Sequence, residues 1–87
     1  MQIVVAFSSR NDSIAFCDLI RKKGFPATLI NTPRELSIGC GLSVSIEERH
    51  NDVSKQLIFY TGRYYSYIGT FGMNKVGGRL AVIKLHP

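Results

Sequence analysis

Five consecutive apolar residues, Ile3-Val-Val-Ala-Phe7, set the first constraint on this chain. A strand wetted on one face interleaves polar residues at every second position, and this run does not. It reads as a central strand, buried on both faces. The rest of the chain must therefore supply apolar cover on two sides. Ser8, Ser9, Asn11, Asp12 and Ser13 follow as candidate helix caps. From about residue 12 to residue 23, Ala15, Phe16, Leu19 and Ile20 share one helical face. Arg21, Lys22 and Lys23 complement the dipole of the last turn, and Gly24 suits the terminating position. The densest basic run in the sequence is thus explained as a helix end.

Phe25-Pro26 forces an extended entry into a second strand, Ala27–Ile30. Strand, helix and strand in this order make a βαβ unit with parallel strands. Leu42, Val44 and Ile46 alternate with serines as a third strand. Asn51 or Asp52 can cap a second helix with Val53, Leu57, Ile58 and Tyr60 inward, whereas Gln56–Tyr60 also fits a strand turned at Thr61-Gly62-Arg63. Tyr65, Tyr67 and Phe71 alternate as a strand does, and Gly77-Gly78 marks a turn before a last strand, Leu80–Leu85. The order β-α-β-β-α-β with an extra C-terminal hairpin strand predicts an α+β fold. Its expected form is a ferredoxin-like two-layer sandwich, one domain over residues 1–87.

The 87 residues are 45% apolar, ordinary for a globular domain. No run approaches the roughly 18 apolar residues of a membrane span, and the N-terminus enters a strand pattern without a signal segment. Cys17 and Cys40 are too few for a disulfide framework and form no C-x-x-C pair. A cytoplasmic protein with two free thiols is the expectation. The net charge of +5 permits an acidic partner such as nucleic acid or an anionic protein face.

The chemistry is expected in the segment Thr32-Pro-Arg-Glu-Leu-Ser-Ile-Gly-Cys-Gly-Leu42. Thr32 and Glu35 have the spacing of a capping box, with Pro33 at the first helical position. Leu36, Ser37 and Ile38 complete a short turn. Gly39 and Gly41 then flank Cys40, which frees the backbone and leaves the sulfur unobstructed. Arg34, Arg49 or Lys55 could favour the thiolate, the reactive form, whereas the C-terminal end of a turn opposes it. Cys17, beside the apolar face of the first helix, reads as a core residue.

The Pro33-Arg34-Glu35-Leu36-Ser37 stretch with Cys40-Gly41-Leu42 resembles a bacterial family of small domains described as selenium/sulfur carrier-like. The resemblance covers roughly residues 2 to 48. It implies a carrier role in which Cys40 accepts sulfur or selenium from a donor protein, such as a cysteine desulfurase, and hands it to an acceptor as a persulfide. It implies no cofactor, and a carrier more than an enzyme with turnover. The Cys-Pro pair of better-known sulfur carriers is absent. Family members continue with a Glu- and Leu-rich helix and one last strand, so the aromatic, glycine-rich stretch from Phe59 to Gly78 is expected to diverge.

Other constellations are weaker. His50 and His86 lack ligand spacing with Cys40, and no metal site is expected; a Cys40–His50 pair would need a tertiary contact. The glycines from Gly69 to Gly78 lack the ending of a phosphate loop and precede a strand. Arg63, Tyr64, Tyr65 and Tyr67, with Tyr60, could form a stacking platform for single-stranded RNA or a subunit contact in a homo-oligomer. The alternative to the carrier is thus a non-catalytic binding module using residues 60–71, though the aromatic-glycine motif of RNA-binding sandwiches is missing.

Overall fold

The computed structural model describes residues 1–36, 41–61 and 65–86. In chain order these form β1 (Gln2–Phe7), α1 (Arg10–Lys22), β2 (Ala27–Asn31), a 3-10 turn at Arg34–Leu36 and β3 (Leu42–Glu47). A second 3-10 turn at Glu48–His50, α2 (Asn51–Thr61), β4 (Tyr67–Val76) and β5 (Arg79–His86) follow. The five strands make one sheet in the order β2-β3-β1-β4-β5, and every neighbouring pair is antiparallel. β1 and β2 run the same way, as a βαβ unit requires, with β3 inserted between them.

The long apolar run is at the centre. Val5 pairs with Val44 of β3 and Thr70 of β4, and Ala6 pairs with Ser43 and Gly69. All five residues from Ile3 to Phe7 are fully buried. Ile3, Val5 and Phe7 face the helices, in a core with Phe16, Cys17, Ile20, Ala27, Val44, Ile46 and Ile58. Val4 and Ala6 face the opposite side, in a second cluster with Leu36, Phe71 and Met73, flanked by Ile30, Ile68, Leu80 and Val82. No helix among the described residues belongs to this second cluster. Among the described residues its contribution from outside the strands is Leu36, from the turn that follows β2 and packs against β5.

α1 starts at Arg10, earlier than expected, because the Ser9 hydroxyl accepts the Asp12 N–H at 3.3 Å as an N-cap. It ends in a Schellman closure: Phe25 N–H bonds the Ile20 carbonyl, Gly24 N–H the Arg21 carbonyl, and Gly24 has φ +91. The buried stripe is Ser13, Phe16, Cys17 and Ile20. It corrects the expected face, since Ala15 is exposed and Leu19 only half-buried. The Ser13 hydroxyl donates to the Leu42 carbonyl at 2.9 Å, a tie that turns the helix so that residues 13 and 17 face the sheet.

Residues 51–61 are helical, so Gln56–Tyr60 is not a strand. Ile58 and Ser54 are buried residues of α2, and Phe59 meets the Tyr67 ring edge-on at 6.1 Å. Gly77 and Gly78 have φ of +58 and +80 between the paired residues Val76 and Arg79. Positive φ at both central positions is what a two-residue hairpin turn matching the strand twist demands.

Leu36→Ala should lower the unfolding free energy by about 2–4 kcal/mol, the cost of emptying a buried leucine site. Ile14→Ala, on the outer face of α1, should cost about 0.5 kcal/mol or less. Urea titration of both variants checks this. Equal effects would mean that Leu36 closes nothing.

Candidate functional site

Cys40, with Ser37, Ile38, Gly39, Arg63 and Tyr64, lies outside the described residues. The structure does describe the frame in which the Cys40 segment is anchored. β2 and β3 pair as far as Asn31 opposite Leu42. One step beyond, Thr32 N–H donates to the Gly41 carbonyl at 2.9 Å, and the Thr32 and Ser43 hydroxyls bond at 2.6 Å. Thr32 was expected to close a capping box with Glu35, yet its N–H and hydroxyl both join the neck of the 32–41 connection. The turn itself forms: Leu36 N–H bonds the Pro33 carbonyl at 3.1 Å. Arg34 and Glu35 are exposed, while Leu36 is anchored in the second cluster.

Gly41 has φ +89 with open space where a side chain would stand. The restriction there is conformational, since an L residue in this region is strained even without a clash. The residue next to Cys40 is thus a glycine for a backbone reason.

The first turn of α1 ties this neck to a second loop. Besides the bond from Ser13 to Leu42, Asp12 Oδ2 accepts the Ser66 hydroxyl at 2.5 Å, and Ser8 N–H donates to the Ser66 carbonyl at 2.8 Å. The end of β1, the start of α1, the neck of the 32–41 connection and the Tyr65–Ser66 turn therefore share one end of the sheet. The positive end of the α1 dipole lies at this end, partly opposed by the Asp12 carboxylate. Sequence reasoning missed Ser13 and Ser43 as anchors. Both are fully buried, and their signal was available as polar residues inside otherwise apolar patterns.

The other nominated partners are elsewhere. Gly41 precedes β3 and Glu47 ends it, so Arg49 and His50 stand a strand's length, roughly 20 Å, from the Gly41 end. Arg49 pairs with Glu47 at 2.5 Å, and His50 ends the polar 3-10 turn Glu48–His50 with its ring packed on Phe25 at 4.8 Å. Lys55 is on the exposed face of α2. Tyr65 is 97% exposed, whereas the Tyr67 ring packs against Phe7 at 5.9 Å and its hydroxyl bonds Thr70 at 2.7 Å. Cys17 is fully buried, as expected of a core thiol. Burial pushes the Cys17 thiol above its ordinary 9.0, with Arg21 pulling it down and Asp18 pushing it up.

A family model described as "Putative Se/S carrier protein-like" matches residues 2–68. The chain belongs to that family. The family match runs past the resemblance read from residues 2 to 48 and takes in α2, Tyr65 and Tyr67. The stretch expected to diverge from Phe59 onward is therefore family-like as far as Ile68, and the part beyond the match is most of β4 with β5. No curated protein and no solved structure matches the chain. Among the described residues no helix is long and apolar enough to cross a membrane.

Two outcomes follow from this geometry. Gly41→Ala should cost about 1–2 kcal/mol in urea unfolding, the left-handed penalty, and Gly41→Asn should cost less. The second concerns pH. The Cys17 and Tyr67 groups are both raised by burial, the latter above 10.0 and partly offset by the bond to Thr70. The native state then holds protons that the unfolded chain releases, so their stability contribution is complete below pH 9 and is lost as pH climbs through the raised values. The urea midpoint should fall above pH 9, and Cys17→Ala with Tyr67→Phe should flatten that fall.

Proposed function

We propose that this protein carries sulfur or selenium on the Cys40 thiol and passes it between protein partners in the cytoplasm. The observation that carries the reading is the family match, which spans the whole Thr32–Leu42 segment. The anchoring of that segment supports it. Thr32 and Gly41 are joined by a backbone hydrogen bond and Leu36 is pinned in the second cluster, which gives the described part of the segment a defined base. Thr32, Pro33, Arg34, Glu35, Gly39 and Gly41 would serve as that base, with Cys40 as the reactive group. The strand order β2-β3-β1-β4-β5, with β1 inside and β5 outside β4, supports a ferredoxin-like reading of the α+β fold.

The transfer needs no cofactor or external oxidant. The Cys40 thiolate attacks the outer sulfur of a donor persulfide, R–S–SH. The Cys40 S–S bond forms as the donor S–S bond breaks, the donor leaves as its thiolate, and the proton stays on the transferred sulfur. Repeating the displacement with an acceptor thiolate unloads Cys40. A cysteine desulfurase is a donor of this chemistry.

The binding-module alternative draws less support. Tyr65 is exposed while Tyr67 is wedged between Phe7 and Phe59, so the two do not present one stacking surface.

After incubation with a cysteine desulfurase and cysteine, mass spectrometry should find one added sulfur on the peptide holding Cys40 and none on that holding Cys17. Cys40→Ala should abolish the adduct while leaving the circular dichroism and urea midpoint unchanged. Loading on Cys17, or no loading on either thiol, would sink the proposal.

A further inference from the structure

The formal charge is distributed unevenly. Residues 1–52 contain six basic and six acidic side chains, whereas residues 53–87 contain five basic and none acidic. The whole excess of +5 therefore resides in the last 35 residues. Three of those five, Lys75, Arg79 and Lys84, are on the β4–β5 hairpin, and all three are exposed. The ion pairs among the described residues involve none of them.

The same hairpin provides an open sheet edge. β2, at the other side, is the better guarded edge: it is 5 residues long, Pro26 precedes it, and Arg21 Nε donates to the Ala27 carbonyl at 2.8 Å. β5 is 8 residues long, and no strand among the described residues lies beyond it. Val76 and Ile83 are 64% and 56% exposed beside these charges. Apolar side chains, unpaired backbone groups and a single sign of charge thus coincide along one edge.

We propose that the β5 edge binds an extended, acidic segment of a partner protein as a sixth strand. Backbone hydrogen bonds along β5 would supply the pairing and Lys75, Arg79 and Lys84 the charge complement. A second copy of β5 fits poorly. Antiparallel self-pairing centred on Ala81 or Val82 gathers Arg79 and Lys84 of both copies along one short edge with no acidic side chain among them, and like charges held that close repel. A nucleic acid strand would find no aromatic platform here, since Phe71 is the aromatic residue of the hairpin's own paired region and it is buried in the second cluster. The Arg34–Leu36 turn packs against β5, so the bound segment runs beside that turn. The binding itself does not depend on Cys40 chemistry.

Fluorescence anisotropy tests this with a labelled peptide of alternating Glu and Val, against one of alternating Lys and Val and a labelled single-stranded oligouridine. The acidic peptide should bind at low salt and weaken as salt rises, and the basic peptide should not bind. The Arg79→Glu/Lys84→Glu variant should weaken the acidic peptide roughly tenfold, as loss of steering and pairing charges predicts. Amide shifts in the ¹⁵N spectrum should change along β5 and not along β2. Unaltered affinity of the variant, no binding of the acidic peptide, tighter binding of oligouridine, or shifts confined to another element would each overturn the proposal. Loading of Cys40 with sulfur should be unaffected by the variant when a small-molecule persulfide is the donor, so failure of the carrier reading and failure of this one are distinguishable.

Discussion

Two-sided burial of β1 is the condition on which the rest of the structure depends. Helix α1 and the inward residues of α2 cover one face of the strand, with Phe7, Phe16 and Tyr67 linked ring to ring. The other face would leave Val4 and Ala6 wet. Leu36 completes the cover there, with the side chains of β4 and β5. Burying a side chain of this size is worth roughly 1.5–3 kcal/mol, so the connection that bears Cys40 also helps to hold the sheet together. The proposed function and the stability of the sheet therefore draw on one segment. The sequence Pro33-Arg34-Glu35-Leu36 answers to a fold requirement as well as to any chemistry carried four residues later.

Helix α1 has a comparable double duty. Its inner stripe packs the core, while its first turn holds two loops through Ser13 and Asp12. Ser13 is buried in an apolar neighbourhood at no loss, because its hydroxyl meets the Leu42 carbonyl. That bond fixes both the rotation of the helix and the entry to β3. The start of β3, two residues past Cys40 in sequence, is thus held by a residue nearly thirty positions away.

Much of the architecture was legible in the residues. The unbroken run Ile3–Phe7 announced a central strand, Gly24 and Gly77-Gly78 marked the places where positive φ was needed, and Cys17 read as core. The misreadings have local causes. The α1 face was assigned from apolar residues alone, which included Ala15 and omitted Ser13, because periodicity cannot register a buried hydroxyl with a distant acceptor. Residues 56–60 are ambiguous because Leu-Ile-Phe-Tyr suits a strand as well as a helix; the helix buries Ile58 in the core and sets Phe59 against Tyr67. Thr32 fitted a capping box by spacing, yet its donor is taken by Gly41, a partner visible only once β2 and β3 are paired. His50 and Arg49 follow Cys40 closely in sequence, and an intervening strand carries them to the far end of the sheet.

The strand order also governs how the chain must assemble. β2 with β3, and β4 with β5, are neighbours in sequence and can pair across short connections. β1 has no such partner: it pairs with β3 and β4, and Val5 reaches Thr70 across nearly the whole chain. Closing so long a loop costs entropy before any contact repays it, and folding slows as such contacts dominate. Until β1 is inserted, β3 and β4 each keep an open inner edge, and the apolar residues on both faces have no centre to gather on. The run of five apolar residues that organises the native sheet is thus also the piece whose pairing closes the longest loops in it.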